Sequence, residues 1–328
     1  MQQEPITTDE LQKATTIVNN ILDYYNSKVV GQPFLGATIL AAMMSNGHIL
    51  MESVPGLAKT TAAKVMTDAV SGSFSRIQCT PDLIPSDIIG TQIYNAQTNR
   101  FENKLGPVFA NFVLLDEINR SSAKTQSAML EAMQEHSVTI GGQTYPMPEV
   151  FVVIATQNPV EQEGTYVLSE AQLDRFLFKV KLDYPNPASE VEILNRIENG
   201  VLAESKAVSD MEEMTFLQKL KKRVYVDDAI KKYIVDIVQA SRNTDTLLPK
   251  DLAQYVSMGA STRAAITFME AAKSVAVMNG RSYCTPDDIK TLRYAVLGHR
   301  ISLNFAAAAD GVSEETIVDA IIGAVPTP

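Results

Sequence analysis

The sequence predicts an α/β protein of two domains: a five-stranded parallel sheet flanked by helices and built around a phosphate-binding loop, then an all-helical domain. Three observations predict it. Five short apolar runs alternate with segments of helical spacing up to about residue 183, the pattern of a doubly wound sheet. One of these runs, Ile49 to Met51, passes through a tight turn into Lys59-Thr60-Thr61 and a helical segment, the layout of a loop that cradles phosphate. Beyond Tyr184-Pro185-Asn186-Pro187 only helical patterns follow, which divides the chain into residues 1–186 and 187–328.

The elements follow in order. Thr8 or Asp9 is expected to cap a first helix whose apolar face is Leu11, Ala14, Ile17, Val18, Ile21 and Leu22. A second apolar helix, Phe34 to Met44, leads into the strand at Ile49. A short strand, Phe74 to Gln78, follows the loop helix. Residues 79–108, with three prolines and two glycines, read as an insertion with β-like pieces at Ile88-Ile89 and Gln92 to Tyr94. Phe112 to Leu115 and Phe151 to Ala155 are continuous apolar runs, as strands buried on both faces require. Between them lie a helix from about Ser122 to Glu135 and a hairpin at about 138–146 through Gly141-Gly142. Ser169 caps a short helix to Arg175, and Phe176 to Val180 is the last strand. The second domain is expected to hold helices at 188–199, 210–222, 227–242, 261–279, 285–297 and 312–323.

Composition narrows the function. With 328 residues, 45% apolar and 20% charged, the chain is of globular type. A net charge of −10 disfavours a tight, sequence-independent grip on duplex phosphate. Cys79 and Cys284, like His48, His136 and His299, are scattered, with neither metal nor redox spacing. No apolar run is long enough to span a membrane, and the N-terminus lacks the basic and apolar regions of a signal peptide, so a cytoplasmic protein is expected.

The chemistry gathers at strand ends. In Ser53-Val54-Pro55-Gly56-Leu57-Ala58-Lys59-Thr60-Thr61, backbone N–H groups of the loop and helix start converge on one spot, Lys59 adds a full positive charge, and the Thr60 hydroxyl can sit on Mg²⁺. Ser53 and Ala58 stand where the usual motif has glycine. Taken alone, the stretch fits an ordinary strand–turn–helix with a solvated lysine equally well. Asp116 and Glu117 end a buried strand, and ligands of parallel sheets bind beyond the carboxyl ends of strands. Asp116 would hold Mg²⁺ through its waters and Glu117 would activate the attacking water. Asn158 ends the neighbouring strand and suits either a water-and-phosphate contact or a simple Asn-Pro turn. Arg175 could reach a neighbouring protomer's phosphates, but an ion pair with Asp174 or Glu170 explains it as well. Arg263 begins a helix, where a cation is mildly unfavourable, which hints at a contact with nucleotide beside the plainer reading of a surface arginine.

Several long motifs in order resemble the MoxR branch of the AAA+ ATPases. They are Ser-Val-Pro-Gly-Leu-Ala-Lys-Thr at 53–60, Leu-Leu-Asp-Glu-Ile-Asn-Arg at 114–120, Lys-Thr-Gln-Ser-Ala-Met-Leu-Glu-Ala-Met-Gln-Glu at 124–135, Ala-Thr-Gln-Asn-Pro at 155–159, Leu-Ser-Glu-Ala-Gln-Leu-Asp-Arg-Phe at 168–176 and Gly-Ala-Ser-Thr-Arg-Ala at 259–264. The resemblance covers about residues 25–325. It implies a P-loop AAA+ core with a C-terminal all-α lid, and ATP with Mg²⁺ as cofactors. By position it implies phosphate and metal roles for Lys59 and Thr60, metal-binding and catalytic acids at Asp116 and Glu117, a first sensor at Asn158, an arginine finger at Arg175 and a second sensor at Arg263. Val30 and Gly31 match the segment that packs on adenine. The insertion and the hairpin resemble two pore-side inserts of this clade. Ala58 is within the family's pattern; Ser53 departs from it.

The expected function is that of a Mg²⁺-dependent ATPase, a homo-oligomer in a hexameric ring. It would remodel client proteins, with a von Willebrand A-type partner and a role in maturing metal- or cofactor-containing enzymes. A metal-chelatase motor subunit is the alternative; a nucleic-acid motor and a nucleotide-gated scaffold are weaker ones.

Overall fold

A computed structural model describes residues 4–54, 56–159, 165–200 and 206–328. The chain packs as two compact units, one of Asn19–Leu168 with Val180–Thr215, the other of Met1–Val18, Ser169–Lys179 and Phe216–Pro328.

Helix α1 (Thr8–Lys28) opens the chain. Its cap is Thr7, not Thr8 or Asp9. The Glu10 N–H donates to Thr7 Oγ1 at 3.2 Å, while Thr7 N–H donates to Glu10 Oε2 at 2.9 Å, so two end groups are satisfied reciprocally. Helix α2 (Pro33–Ser45) is buried almost all round, as its uniformly apolar sequence requires.

The sheet follows. Strand β1 (Ile49–Glu52), helix α3 (Lys59–Ala69) and strand β2 (Phe74–Gln78) come first. Next come α4 (Pro85–Ile89), β3 (Gly90–Asn95), β4 (Arg100–Leu105) and β5 (Phe112–Asp116). Helix α5 (Ala123–Glu135), β6 (Ser137–Ile140), β7 (Gln143–Pro146), β8 (Val152–Gln157), α6 (Glu170–Leu173) and β9 (Phe178–Lys181) complete it. The main sheet has the order β2-β5-β8-β1-β9, with β2, β5, β8 and β1 paired in parallel. Strands β5 and β8 lie inside the sheet, and β5 is buried throughout, which is why their sequences are continuous apolar runs rather than alternations.

The insertion contains the hairpin β3–β4. One expectation fails there: Ile88 and Ile89 end helix α4 and are not extended. Pro85 presets the first helical turn, and the Asp87 carboxylate accepts the Ile84 N–H at 3.0 Å, so the local capping chemistry overrides the β-branched pair. The hairpin β6–β7 turns through Gly141 and Gly142, both at positive φ.

The helical part comprises α7 (Pro187–Glu198), α8 (Met211–Lys222), α9 (Asp228–Arg242), α10 (Thr244–Leu247), α11 (Lys250–Ala253), α12 (Thr262–Met278), α13 (Pro286–Thr291), α14 (Arg293–Leu297), α15 (Phe305–Ala309) and α16 (Glu314–Ala324). The helix expected at 285–297 is two helices, broken at Leu292. The expectation of helices alone also misses a two-stranded ribbon, β10 (Val256–Met258) with β11 (Ser302–Leu303). No described helix is long and apolar enough to cross a membrane.

Candidate functional site

Strand register aligns the functional strand ends. Glu52 of β1 lies opposite Gln157 of β8, and Gln78 of β2 opposite Asp116 of β5. Past β1, the buried Ser53 donates its N–H to Gln157 O at 3.2 Å. The loop therefore leaves the sheet under a fixed tether, with serine at a place where glycine was expected. Pro55 lies outside the described residues. Gly56, at φ +88°, is exposed, and a Cβ there would meet nothing within 4 Å. Leu57 is buried and anchors the turn. Ala58 has φ 53° and ψ 25°, the left-handed well that a Cβ enters only at a cost of about 1–2 kcal/mol. That strain is held because Ala58 starts α3: its carbonyl accepts the Ala62 N–H at 2.8 Å.

The start of α3 is open. No side chain caps it, so the N–H groups of Lys59, Thr60 and Thr61 point out of the helix end without a side-chain acceptor. Among the described residues the Lys59 ammonium and the Thr60 hydroxyl have no hydrogen-bond or ion-pair partner. This donor set, with an open glycine above it, fits a bound polyphosphate.

The two acids are held in place. Asp116, the last residue of β5, is buried; its Oδ1 accepts the Thr156 hydroxyl at 2.8 Å and its Oδ2 pairs with Arg76 Nη2 at 2.6 Å. Glu117 takes the left-handed conformation (φ 58°), fixed by its N–H donating to the same Thr156 Oγ1 at 2.9 Å. Its Oε2 accepts Gln78 Nε2 at 3.1 Å and pairs with Arg120 Nε at 3.1 Å. Arg76 also donates to Gln78 Oε1 at 3.1 Å. A hydroxyl and a carboxylate with hard oxygen donors, Thr60 and Asp116, suit a largely hydrated Mg²⁺. Asn158 follows β8 directly and is buried.

Gly31 has φ +77°, and a Cβ there would come within 3.1 Å of Ser189 Oγ and 3.7 Å of Pro185. Gly31 therefore packs against the start of α7. The next residue, Gln32, has a buried Oε1 with no partner among the described residues, an acceptor that fits the amino group of an adenine.

Arg175 and Arg263 belong to the helical unit. Arg175 lies in the turn between α6 and β9, and its side chain forms no ion pair or hydrogen bond among the described residues. The expected alternative, a pair with Asp174 or Glu170, is therefore absent: Asp174 binds Arg300, Ser261 and Arg263, and Glu170 accepts the Ser302 hydroxyl. Arg263 Nη1 lies 3.7 Å from Asp174 Oδ2. Burial pushes Arg300 down to about 10, and the Asp174 carboxylate opposes that fall, so Arg300 stays cationic at neutral pH.

The sequence alone did not single out Arg76, Gln78, Arg120, Gln32 or Arg300. Thr156 was visible as a strand end, but its double role depends on a left-handed Glu117 that no spacing announces.

A model of the ATPase family associated with various cellular activities (AAA) matches residues 48–178, and a model of the AAA lid domain matches residues 250–321. The chain is 46% identical over 301 residues to Chaperone MoxR1 of Mycobacterium tuberculosis, which covers 92% of this chain and 79% of that protein. The chain belongs to the MoxR family of AAA+ ATPases. As a MoxR-family member it binds nucleotide and hydrolyses ATP. It is also 44% identical to the uncharacterized protein YeaC of Bacillus subtilis, over 95% of each chain. A crystal structure of a candidate ATPase from Cytophaga hutchinsonii superposes with a TM-score of 0.90, at 42% identity, covering 98% of this chain and 97% of that one.

Proposed function

We propose that this MoxR ATPase hydrolyses ATP at the carboxyl edge of the sheet and uses the cycle, in a ring of like subunits, to remodel a client protein. The observation that carries the site assignment is the open start of α3: uncapped N–H groups beside an unpartnered Lys59. Residues 53–61 would hold the phosphates, with Lys59 neutralising the β and γ groups. Thr60 and Asp116 would hold a hydrated Mg²⁺, which supplies neutralisation of charge on the phosphates. Glu117 would orient and deprotonate water, with Asn158 placing that water against the γ phosphate. Val30 and Gly31, with the Gln32 acceptor, would receive adenine. Arg263 would sense the nucleotide from the lid, taken as the region after residue 187. The lack of a side-chain partner for Arg175 among the described residues supports its use on a neighbouring subunit's nucleotide. The relationship to a protein named as a chaperone supports client remodelling, and a von Willebrand A-type partner and a metal- or cofactor-containing client enzyme remain part of this reading.

Gln78 and Arg120 both engage Oε2 of Glu117, so Oε1 is the oxygen of this carboxylate that would take the proton of the water. The test is Glu117→Gln. Fluorescent ATP should bind this variant as it binds the parent, while phosphate release falls about 10²–10⁴-fold, the range of a lost general base. Unchanged turnover overturns the assignment.

A further inference from the structure

The turn that carries Arg175 is built around two residues that lie next to it but serve no function so far assigned. The side chain of Arg300 is 1% exposed and directs most of its guanidinium at this turn. Its Nε donates to Asp174 Oδ1 at 2.7 Å, its Nη2 to Phe176 O at 2.6 Å and Asp174 O at 3.3 Å, and its Nη1 to Leu177 O at 3.3 Å and Val296 O at 2.7 Å. The carbonyls of Asp174, Phe176 and Leu177, one before and two after Arg175, are thus gripped by one planar, preorganised fork. Asp174 completes the grip: one oxygen takes Arg300, and the other takes the Ser261 hydroxyl at 2.8 Å and faces Arg263. Ser261 in turn caps α12 by accepting the Arg263 N–H at 3.1 Å.

A buried arginine is costly unless it is fully bonded, and replacing such a group with apolar residues is often neutral or better for stability. A fork that makes four bonds to an otherwise irregular turn therefore has a use in fixing geometry. The side chain left over from this network is Arg175 itself. Arg263, by contrast, is 46% exposed and held at 3.7 Å, a contact loose enough to exchange.

We infer that Asp174, clamped by Arg300, is a positioning residue that sets the aim of Arg175 toward a neighbouring subunit's nucleotide and competes for Arg263 through the same carboxylate. This rests on the reading of Arg175 as a finger acting between subunits. When Arg263 moves to nucleotide, Asp174 keeps Arg300 and Ser261 and so keeps the turn. When Asp174 is neutralised, Arg300 loses its counterion, the turn loosens and Arg263 is released.

The test uses the full-length protein and Asp174→Asn, which keeps size and one acceptor. Turnover should fall at least tenfold, since small misplacements of a positioned group cost up to about 10² in rate. Affinity for fluorescent ATP should stay the same or tighten, because Arg263 is no longer shared. Mixing Asp174→Asn with Glu117→Gln protomers should restore turnover above both parents: the intact Glu117 of an Asp174→Asn protomer then meets a well-aimed finger from a Glu117→Gln neighbour. The control mixture is Arg175→Ala with Glu117→Gln. If the control recovers and the Asp174→Asn mixture does not, the inference fails while the finger reading stands. If the control itself does not recover, the finger reading fails and the inference with it. Should Asp174→Asn protein fail to fold, Arg300→Lys, which keeps the charge and loses the fork, takes its place in the same mixtures with the same expected and contrary outcomes.

Discussion

Arg76 Nη2 sits 2.6 Å from Asp116 Oδ2, so the strand-end acid expected to face magnesium is paired with a guanidinium from the adjacent strand. Arg76 is half exposed, while Asp116 is buried and also bound by Thr156. The pair places a positive charge beside the carboxylate oxygen that a hydrated cation would use. A Mg²⁺ held by Asp116 would have to share or displace it. An ion pair with one exposed partner contributes about 0–1 kcal/mol, so the competition is modest. Arg76→Gln should lower the Mg²⁺ concentration for half-maximal ATPase activity by up to about fivefold, and Mn²⁺ binding followed by EPR should tighten by the same factor. A variant with an unchanged Mg²⁺ requirement removes Arg76 from the metal site.

Thr156 joins the two acids through a single oxygen: it donates to Asp116 and accepts the Glu117 N–H. It is fully buried. Thr156→Val keeps the shape and removes both bonds, leaving a buried N–H and a carboxylate oxygen without that partner, at a cost of about 1–3 kcal/mol. The left-handed conformation of Glu117 is no longer pinned. The expected result is a lower melting temperature together with a fall in kcat larger than the change in KM. Thr156→Ser should recover most of both. If the valine variant loses stability alone, Thr156 is a packing residue and does not aim Glu117.

These cases show where the sequence was legible. Strands β5 and β8 were readable because burial on both faces leaves an unbroken apolar run, and Asp116, Glu117 and Asn158 were readable because they sit where those runs stop. Ser169 announced the start of α6 as a capping residue. Arg76, Gln78 and Arg120 were not readable as members of the site, since β2 meets β5 only through tertiary register and a charged residue on a strand edge looks like any solvated one. The ribbon β10–β11 was missed for a related reason: its pieces, Val256–Met258 and Ser302–Leu303, are too short to show a period and pair far apart in sequence. Arg300 was hidden among surface-type residues, and only burial shows that its charge is used inside.

His48 gives the fold a pH dependence of definite sign. It is buried; its Nδ1 accepts the Val153 N–H at 3.0 Å, so the neutral ring carries its proton on Nε2 and donates it to Met133 O at 3.1 Å. A second proton would face the Val153 N–H, donor against donor. Burial first, and the nearby His136 to a lesser degree, push His48 down to about 4. His299, buried beside Arg300 and donating to Phe176 O, is pushed down in the same direction. In the unfolded chain a histidine titrates near 6.5, so between that value and the folded one the unfolded state binds more protons. The stabilisation is fully present above about pH 6.5 and is lost as pH falls toward 4. For His48 alone the loss reaches about 2 kcal/mol by pH 5. His48→Gln should be less stable at pH 7 but show a flatter fall in urea midpoint from pH 7 to pH 5 than the parent. Parallel slopes in the two proteins would mean that His48 takes up its proton as readily in the folded state as in the unfolded chain, and that its contact with the Val153 N–H is not the one described.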